Sequence, residues 1–136
     1  SPETLESYRE ALATMVQNDG LVLAPIKNLV RRDDLAQVAD FLFATSNTDL
    51  VIVYGIQRQK MLLSARSRRE HLHIGLALSK EFPDGQAGGH RVMAGGQVLL
   101  ANLGFEVGHE HEEFQEEILR DFTNRMLELF SRGAEG

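Results

Sequence analysis

The chain has 136 residues, which suits one domain with a single core, and its 43% hydrophobic and 25% charged residues are ordinary for a globular fold. It has no cysteine, which excludes disulfides and thiol chemistry and is compatible with a reducing, cytoplasmic setting. No apolar run approaches the roughly 20 residues that span a bilayer, and a net charge of −6 argues against a general duplex-DNA binder.

Pro2 to about Asn18 reads as a helix, with Leu5, Tyr8, Leu12 and Met15 or Val16 at three- and four-residue spacing and Ser1-Pro2 as cap and first turn. Asn18-Asp19-Gly20 is a stop signal, and Leu21-Val22-Leu23-Ala24-Pro25-Ile26 follows as a short strand. Asp33 or Asp34 caps a second helix carrying Leu35, Val38, Ala39, Leu42 and Phe43 on one side. Leu50-Val51-Ile52-Val53-Tyr54-Gly55-Ile56 is nearly continuous and β-branched, as a central strand buried on both faces would be. Gln57-Arg58-Gln59-Lys60 makes a hairpin turn into Met61–Ser67.

His71 to Phe82 fits a third helix, with Ile74, Leu78 and Phe82 at four-residue spacing. A glycine-rich stretch comes next, then a strand over Gly96–Ala101, and Glu112 to about Ser131 forms the last helix. Phe114, Ile118, Phe122 and Met126 make its stripe, while Glu112, Glu113, Glu116 and Glu117 suit the positive end of its dipole. The expected fold is an α/β domain with a mixed sheet of about four to five strands and flanking helices.

Two features carry chemistry. Gly85-Gln86-Ala87-Gly88-Gly89-His90-Arg91-Val92-Met93-Ala94-Gly95-Gly96 holds five glycines in twelve positions, so it brings backbone close to something rather than packing a core. Exposed N–H groups there, with His90 and Arg91, would suit an anion such as phosphate. A plain connection between two strands is the competing reading. The second feature is Arg66, which alternation puts on one strand face with Ser64, while Ser67 lies on the other. A guanidinium on a mostly apolar strand needs a partner. A structural salt bridge and a bidentate grip on phosphate both satisfy it. Charge favours a local anion site: Arg58 to Arg91 holds seven basic residues and three acids, whereas Ala101 to the end holds nine acids and three arginines.

Ser64-Ala65-Arg66-Ser67, a helix of about ten residues, and then Gly85–Gly96 with Gly88-Gly89-His90 and Ala94-Gly95 together resemble the C-terminal associated domain of DHH-family phosphoesterases, in a form closest to archaeal-type members. The resemblance covers Leu21 to Ala101 in pattern and is specific over Ser64–Ser67 and Gly85–Gly96. It implies residues 1–19 as a leading helix, the connector from a catalytic domain that this chain lacks, and 20–136 as the DHH-associated substrate-binding domain. It implies that Arg66, Gly88, Gly89 and His90 bind a phosphate or nucleotide end, with Ser64, Ser67 and Arg91 as helpers. Gln86 and Ala87 stand where relatives carry glycine, which would narrow the site.

The family's catalytic half carries Asp-His-His and further aspartates that hold two divalent metals, usually manganese. No Asp-His-His occurs here, and the seven aspartates are scattered apart from Asp33-Asp34. With Ser1 rather than Met at its start, the chain is expected to be the substrate-binding lobe of a longer protein, binding but not hydrolysing, with no cofactor of its own. Expected ligands are short oligonucleotides, phosphorylated nucleotides, cyclic-dinucleotide products or, at lower rank, polyphosphate. Expected partners are the catalytic DHH domain of the same parent, a homodimer through the last helix, and no membrane. A different class of function is an RNA-binding or dimerising module like the C-terminal domain of alanyl-tRNA synthetases; a third is a regulatory sensor of an anionic metabolite. His109-Glu110-His111-Glu112-Glu113 reads as a solvated helix start rather than a metal site, because its spacing matches no strong zinc pattern.

Overall fold

The computed structural model describes residues 1–106 and 112–132. The His109–Glu113 cluster, in its histidines and acidic side chains, lies outside the described residues. A six-stranded sheet in the order β1-β2-β3-β4-β6-β5 forms the centre. Its strands are β1 (Val16–Asn18), β2 (Leu21–Ile26), β3 (Leu50–Gln57), β4 (Lys60–Ser67), β5 (Gln86–Gly89) and β6 (Met93–Leu99). The helices are α1 (Pro2–Thr14), α2 (Asp33–Thr45), α3 (Ile74–Glu81) and α4 (Glu112–Phe130). Only β2 and β3 pair in parallel, joined through α2; every other pairing is antiparallel. The sheet is therefore mixed, as the helix-separated strands and the hairpin require.

Alternation along β2, β3 and β4 divides the apolar residues between two cores. Leu21, Leu23, Leu50, Ile52, Tyr54 and Met61 join Leu78 of α3 and Ile118, Phe122 and Met126 of α4 on one face. Val22, Ala24, Val51, Val53 and Leu62 join Ala11 of α1 and Leu35, Val38 and Leu42 of α2 on the other. Tyr54 lies 4.8 Å from Phe122 between ring centroids, and its hydroxyl bonds to Thr123. Burial pushes that phenol well above its ordinary range, so it remains neutral.

The sheet has two more strands than the lower end of the expected range, and each has a local cause. β1 arises where the first helix was expected to continue: Asp19 and Gly20 both have positive φ, 45° and 87°, and turn the chain back on itself. That is the backbone that an Asp-Gly hairpin turn demands. β5 arises inside the glycine-rich stretch, which is a hairpin of β5 and β6 rather than an open loop. Gly96 makes this pairing feasible, since its φ is 145° and a Cβ there would sit 2.0 Å from the Gln86 carbonyl oxygen.

Candidate phosphate-binding site

The hairpin register sets the geometry. Ser64 pairs with Gly95, and Gly95 with Gly88, so one row crosses β4, β6 and β5. At about 4.8 Å per strand, Ser64 and Gly88 stand roughly 10 Å apart in backbone terms. Arg66 pairs with Met93 two rows on, on the same face, and the His90 N–H donates to the Met93 carbonyl (2.8 Å) to close the turn. The two stretches, about twenty residues apart in sequence, therefore meet at one end of the sheet.

The turn is held from behind. The Ile74 and Gly75 N–H groups, at the start of α3, donate to the carbonyls of Arg91 (3.1 Å) and His90 (3.0 Å). The Ser67 N–H donates to Val92 (2.9 Å), and the Leu76 N–H to His73 Nδ1 (3.0 Å). These donors at the helix start are spent on the protein itself and leave no anion site there. Gly75 permits the approach, because a Cβ on it would come within 2.2 Å of the Gly89 carbonyl oxygen. The hydrogen-bonded rows run through His90 and Gly88, so strand alternation leaves the Ala87 and Gly89 N–H groups on the outer edge of β5.

Side chains divide between scaffold and surface. Arg66 is almost fully buried; its Nε donates to Asp40 Oδ1 of α2 (2.7 Å) and its Nη1 to the Ala65 carbonyl (2.9 Å). Of the two sequence readings of Arg66, the salt bridge is the one present in the structure. Its carboxylate partner is 64% exposed where the guanidinium side chain is 9% exposed. Asp40 is the residue that sequence reasoning missed. The only available signal was the demand of a strand arginine for a partner, which did not say that the partner would come from 26 residues upstream. Ser64 is half-buried on the same face as Arg66. Ser67 is buried on the opposite face, where its hydroxyl accepts from the Arg69 N–H (3.1 Å). It supports the strand end and lies away from Ser64 and Arg66. His90 is exposed, and Arg91 donates to the Glu70 carbonyl.

The face carrying Ser64 and Arg66 is covered by α2 over β3 and β4 but is open over β6 and β5: Met93 and Leu99 are 47% and 46% exposed. Arg32, next to the start of α2, reaches across this opening to Gln97 Oε1 (3.0 Å), and Gln97 Nε2 donates on to Gln86 Oε1 (2.9 Å). Larger clefts lie elsewhere. One of about 550 Å³ is bounded by Asp49, Arg68, Arg69 and Arg132. Its arginines serve structure: Arg68 holds the Phe43 and Thr48 carbonyls, and Arg69 holds Phe130. Another of about 520 Å³ lies between α4 and the β2 edge, beside Glu10 and Lys27. Among the described residues no three His, Asp or Glu side chains gather to hold a metal ion. No described helix is long and apolar enough to cross a membrane.

No protein-family model matches the chain. An uncharacterized protein of Methanocaldococcus jannaschii is 31% identical over 105 residues, covering 74% of this chain and 21% of the relative. An exopolyphosphatase-related protein from Bacteroides fragilis shares the fold at a TM-score of 0.60 and 14% identity, over 93% of this chain and 36% of that one. The C-Ala domain of Aquifex aeolicus alanyl-tRNA synthetase does so at 0.54 and 13%, over 84% of this chain and 97% of that domain. A DHH domain from the s1p family of ribosomal proteins does so at 0.52 and 12%, over 96% of this chain and 31% of that one. The chain thus has the α/β fold that its resemblance to the DHH-associated domain implies. It spans about a fifth of the curated relative and about a third of the exopolyphosphatase-related chain.

Proposed function

We propose that this chain is the DHH-associated, substrate-holding domain of a metal-dependent phosphoesterase, and that it binds the phosphate end of a nucleotide or short single-stranded oligonucleotide. The observation that carries the reading is the register that sets Ser64 and Arg66 of β4, at the margin of α2, beside the Gly88-Gly89-His90 turn where the face opens over β6 and β5. Arg66 and Ser64 supply donors, and exposed His90 adds one more at the mouth. Asp40 occupies the Arg66 guanidinium in the free chain, and being mostly exposed it can swing into water while a phosphate takes its place. Arg91 and Ser67 position the turn and the strand end. Manganese, with the hydrolytic step, belongs to a catalytic DHH domain of the parent protein, which works in the cytoplasm.

The match to nearly the whole C-Ala domain favours one second reading, an RNA-contacting or dimerising module without catalysis. Exposed Leu5 and Leu12 on α1 give that reading an apolar stripe.

Calorimetric titration with a 5′-phosphorylated dinucleotide and its dephosphorylated form tests the primary reading. The phosphorylated form should bind at least tenfold more tightly. Arg66→Ala should erase the difference, and Asp40→Asn should widen it by roughly two- to tenfold, because a competing carboxylate is gone. Equal affinities for the two ligands, or an unaffected Arg66→Ala variant, would sink it.

A further inference from the structure

Beyond the phosphate end, the same open face carries a second small cavity at its far end. Lys60, Asp84, Gly85, Gln86, Gln97 and Leu99 enclose about 220 Å³ there. Lys60 lies on the Ser64 and Arg66 side of β4, since the three alternate at even spacing. Its half-exposed ammonium makes no ion pair or side-chain hydrogen bond among the described residues. Arg32 does not line the cavity itself but bonds to Gln97, which does, and its guanidinium has further N–H groups beyond that bond. The direction of the amide chain is also informative: Arg32 donates to Gln97 and Gln97 donates to Gln86, which leaves the Gln86 amide N–H groups as terminal donors. Among the residues that line the cavity, Asp84 is the one acid and Lys60 the one cation. The volume falls below the roughly 300–1,000 Å³ of pockets that take whole small ligands. It suits one group of a longer ligand that enters from elsewhere.

We propose that this cavity is a distal phosphate subsite, with Lys60 and Arg32 as its cations and Gln86 as a neutral donor, for the internal backbone of a single-stranded oligonucleotide whose end sits at Arg66. The proposal rests on the phosphate-end reading and adds a preference for length. Six residues of β4 separate Lys60 from Arg66, or about 20 Å at about 3.3 Å per residue. At about 3.4 Å per stacked nucleotide that distance is on the order of six nucleotides, and fewer for an extended strand. Between the two ends the face carries Ser64, Gly95 and the Arg32–Gln97 pair, with Met93 and Leu99 exposed beside them, so a strand crossing it passes apolar surface for its bases and amide and guanidinium donors for its backbone. A mononucleotide held at Arg66 cannot reach Lys60.

The test is a titration of the unmodified chain, Lys60→Ala, Lys60→Arg and Arg32→Ala with a 5′-phosphorylated mononucleotide, trinucleotide and hexanucleotide, repeated at two salt concentrations. Affinity of the unmodified chain should rise with length. Lys60→Ala should weaken the hexanucleotide roughly three- to tenfold and flatten its log–log salt slope by about 0.7, while leaving the mononucleotide within twofold. Arg32→Ala should act in the same direction, and Lys60→Arg should restore the length dependence. An unchanged thermal midpoint for Lys60→Ala separates the effect from misfolding. Equal losses for all three lengths, or none, would overturn the subsite. Tighter binding of inorganic tripolyphosphate than of the hexanucleotide, abolished by Lys60→Ala, would overturn the oligonucleotide assignment. The phosphate-end reading fails instead on the Arg66→Ala and dephosphorylated arms, so the two are separable; no binding of any ligand by the unmodified chain overturns both.

Discussion

Among single residues, Glu10 shows what a charge costs when it is half taken out of water. It sits on α1 at the margin of the cleft beside α4, and its carboxylate accepts the Lys27 backbone N–H. Burial is the largest influence on it and raises its carboxyl above the ordinary value of 4.5, outweighing that hydrogen bond and the nearby Lys27 charge. A folded-state acid with a raised pKa favours the fold while it stays protonated, and the benefit is lost as pH climbs from the ordinary glutamate value through the folded one. The benefit is therefore smaller at pH 7 than at pH 4. Glu10→Gln keeps an acceptor for Lys27 and removes the charge, so its thermal midpoint should exceed that of the unmodified chain at pH 7 and match it at pH 4. A variant that melts lower at pH 7 would mean that the charge, rather than the acceptor, holds the α1–β2 corner. Arg66 is the contrasting case, a nearly buried cation whose partner is a mostly exposed acid.

At the level of elements, the contact that decides the site is α3 on the β5–β6 hairpin. Alanine in place of glycine inside a helix ordinarily stabilises by up to about 1 kcal/mol. Gly75→Ala should do the reverse and cost about 1–3 kcal/mol in denaturant unfolding, because its methyl would meet the Gly89 carbonyl and push the helix off the turn. Phosphate-end affinity should fall with it; a neutral or stabilised variant would show that the helix can shift freely. This contact also marks how far sequence could be read. The long strands and the apolar stripes of α2 and α4 were legible, since continuous β-branched runs and three- and four-residue spacing follow directly from burial. β5 was not, because Gln86-Ala87-Gly88-Gly89 has no apolar alternation and becomes a strand only through its pairing with β6. β1 carried a usable signal in Asp19-Gly20, a pair that ends a helix as readily as it reverses the chain between strands. The site was half legible: its residues stood out by type, whereas the Asp40 partner and the Arg32–Gln97–Gln86 chain exist only once the elements are packed.

Across the whole molecule, the last helix closes the layer over the core face of the sheet, and its end is tied down by charge. Arg69 joins Asp49 (2.9 Å) and donates to the Phe130 carbonyl (2.7 Å), while Arg132 also reaches Asp49. Arg69 is almost fully buried, so removing it leaves Asp49 with less compensation and α4 without a donor at its C-terminal carbonyls. Arg69→Met should therefore lower stability by about 3 kcal/mol in urea unfolding and leave the preference for a phosphorylated end intact, because the cluster lies on the core face opposite Arg66. Loss of that preference in a folded Arg69→Met chain would join two regions that the sheet separates.

The spent donors at the start of α3 have a consequence for the thermodynamics of recognition. Because Ile74, Gly75 and Ser67 already hold the backbone of Arg91, His90 and Val92, the turn does not have to be ordered when a ligand arrives. Ordering a free loop of this size would consume on the order of 1–2 kcal/mol of conformational entropy per residue. Here that entropy is lost once, during folding. On the proposed reading, association is left to pay only for the ligand's own freedom and for moving the exposed Asp40 carboxylate aside.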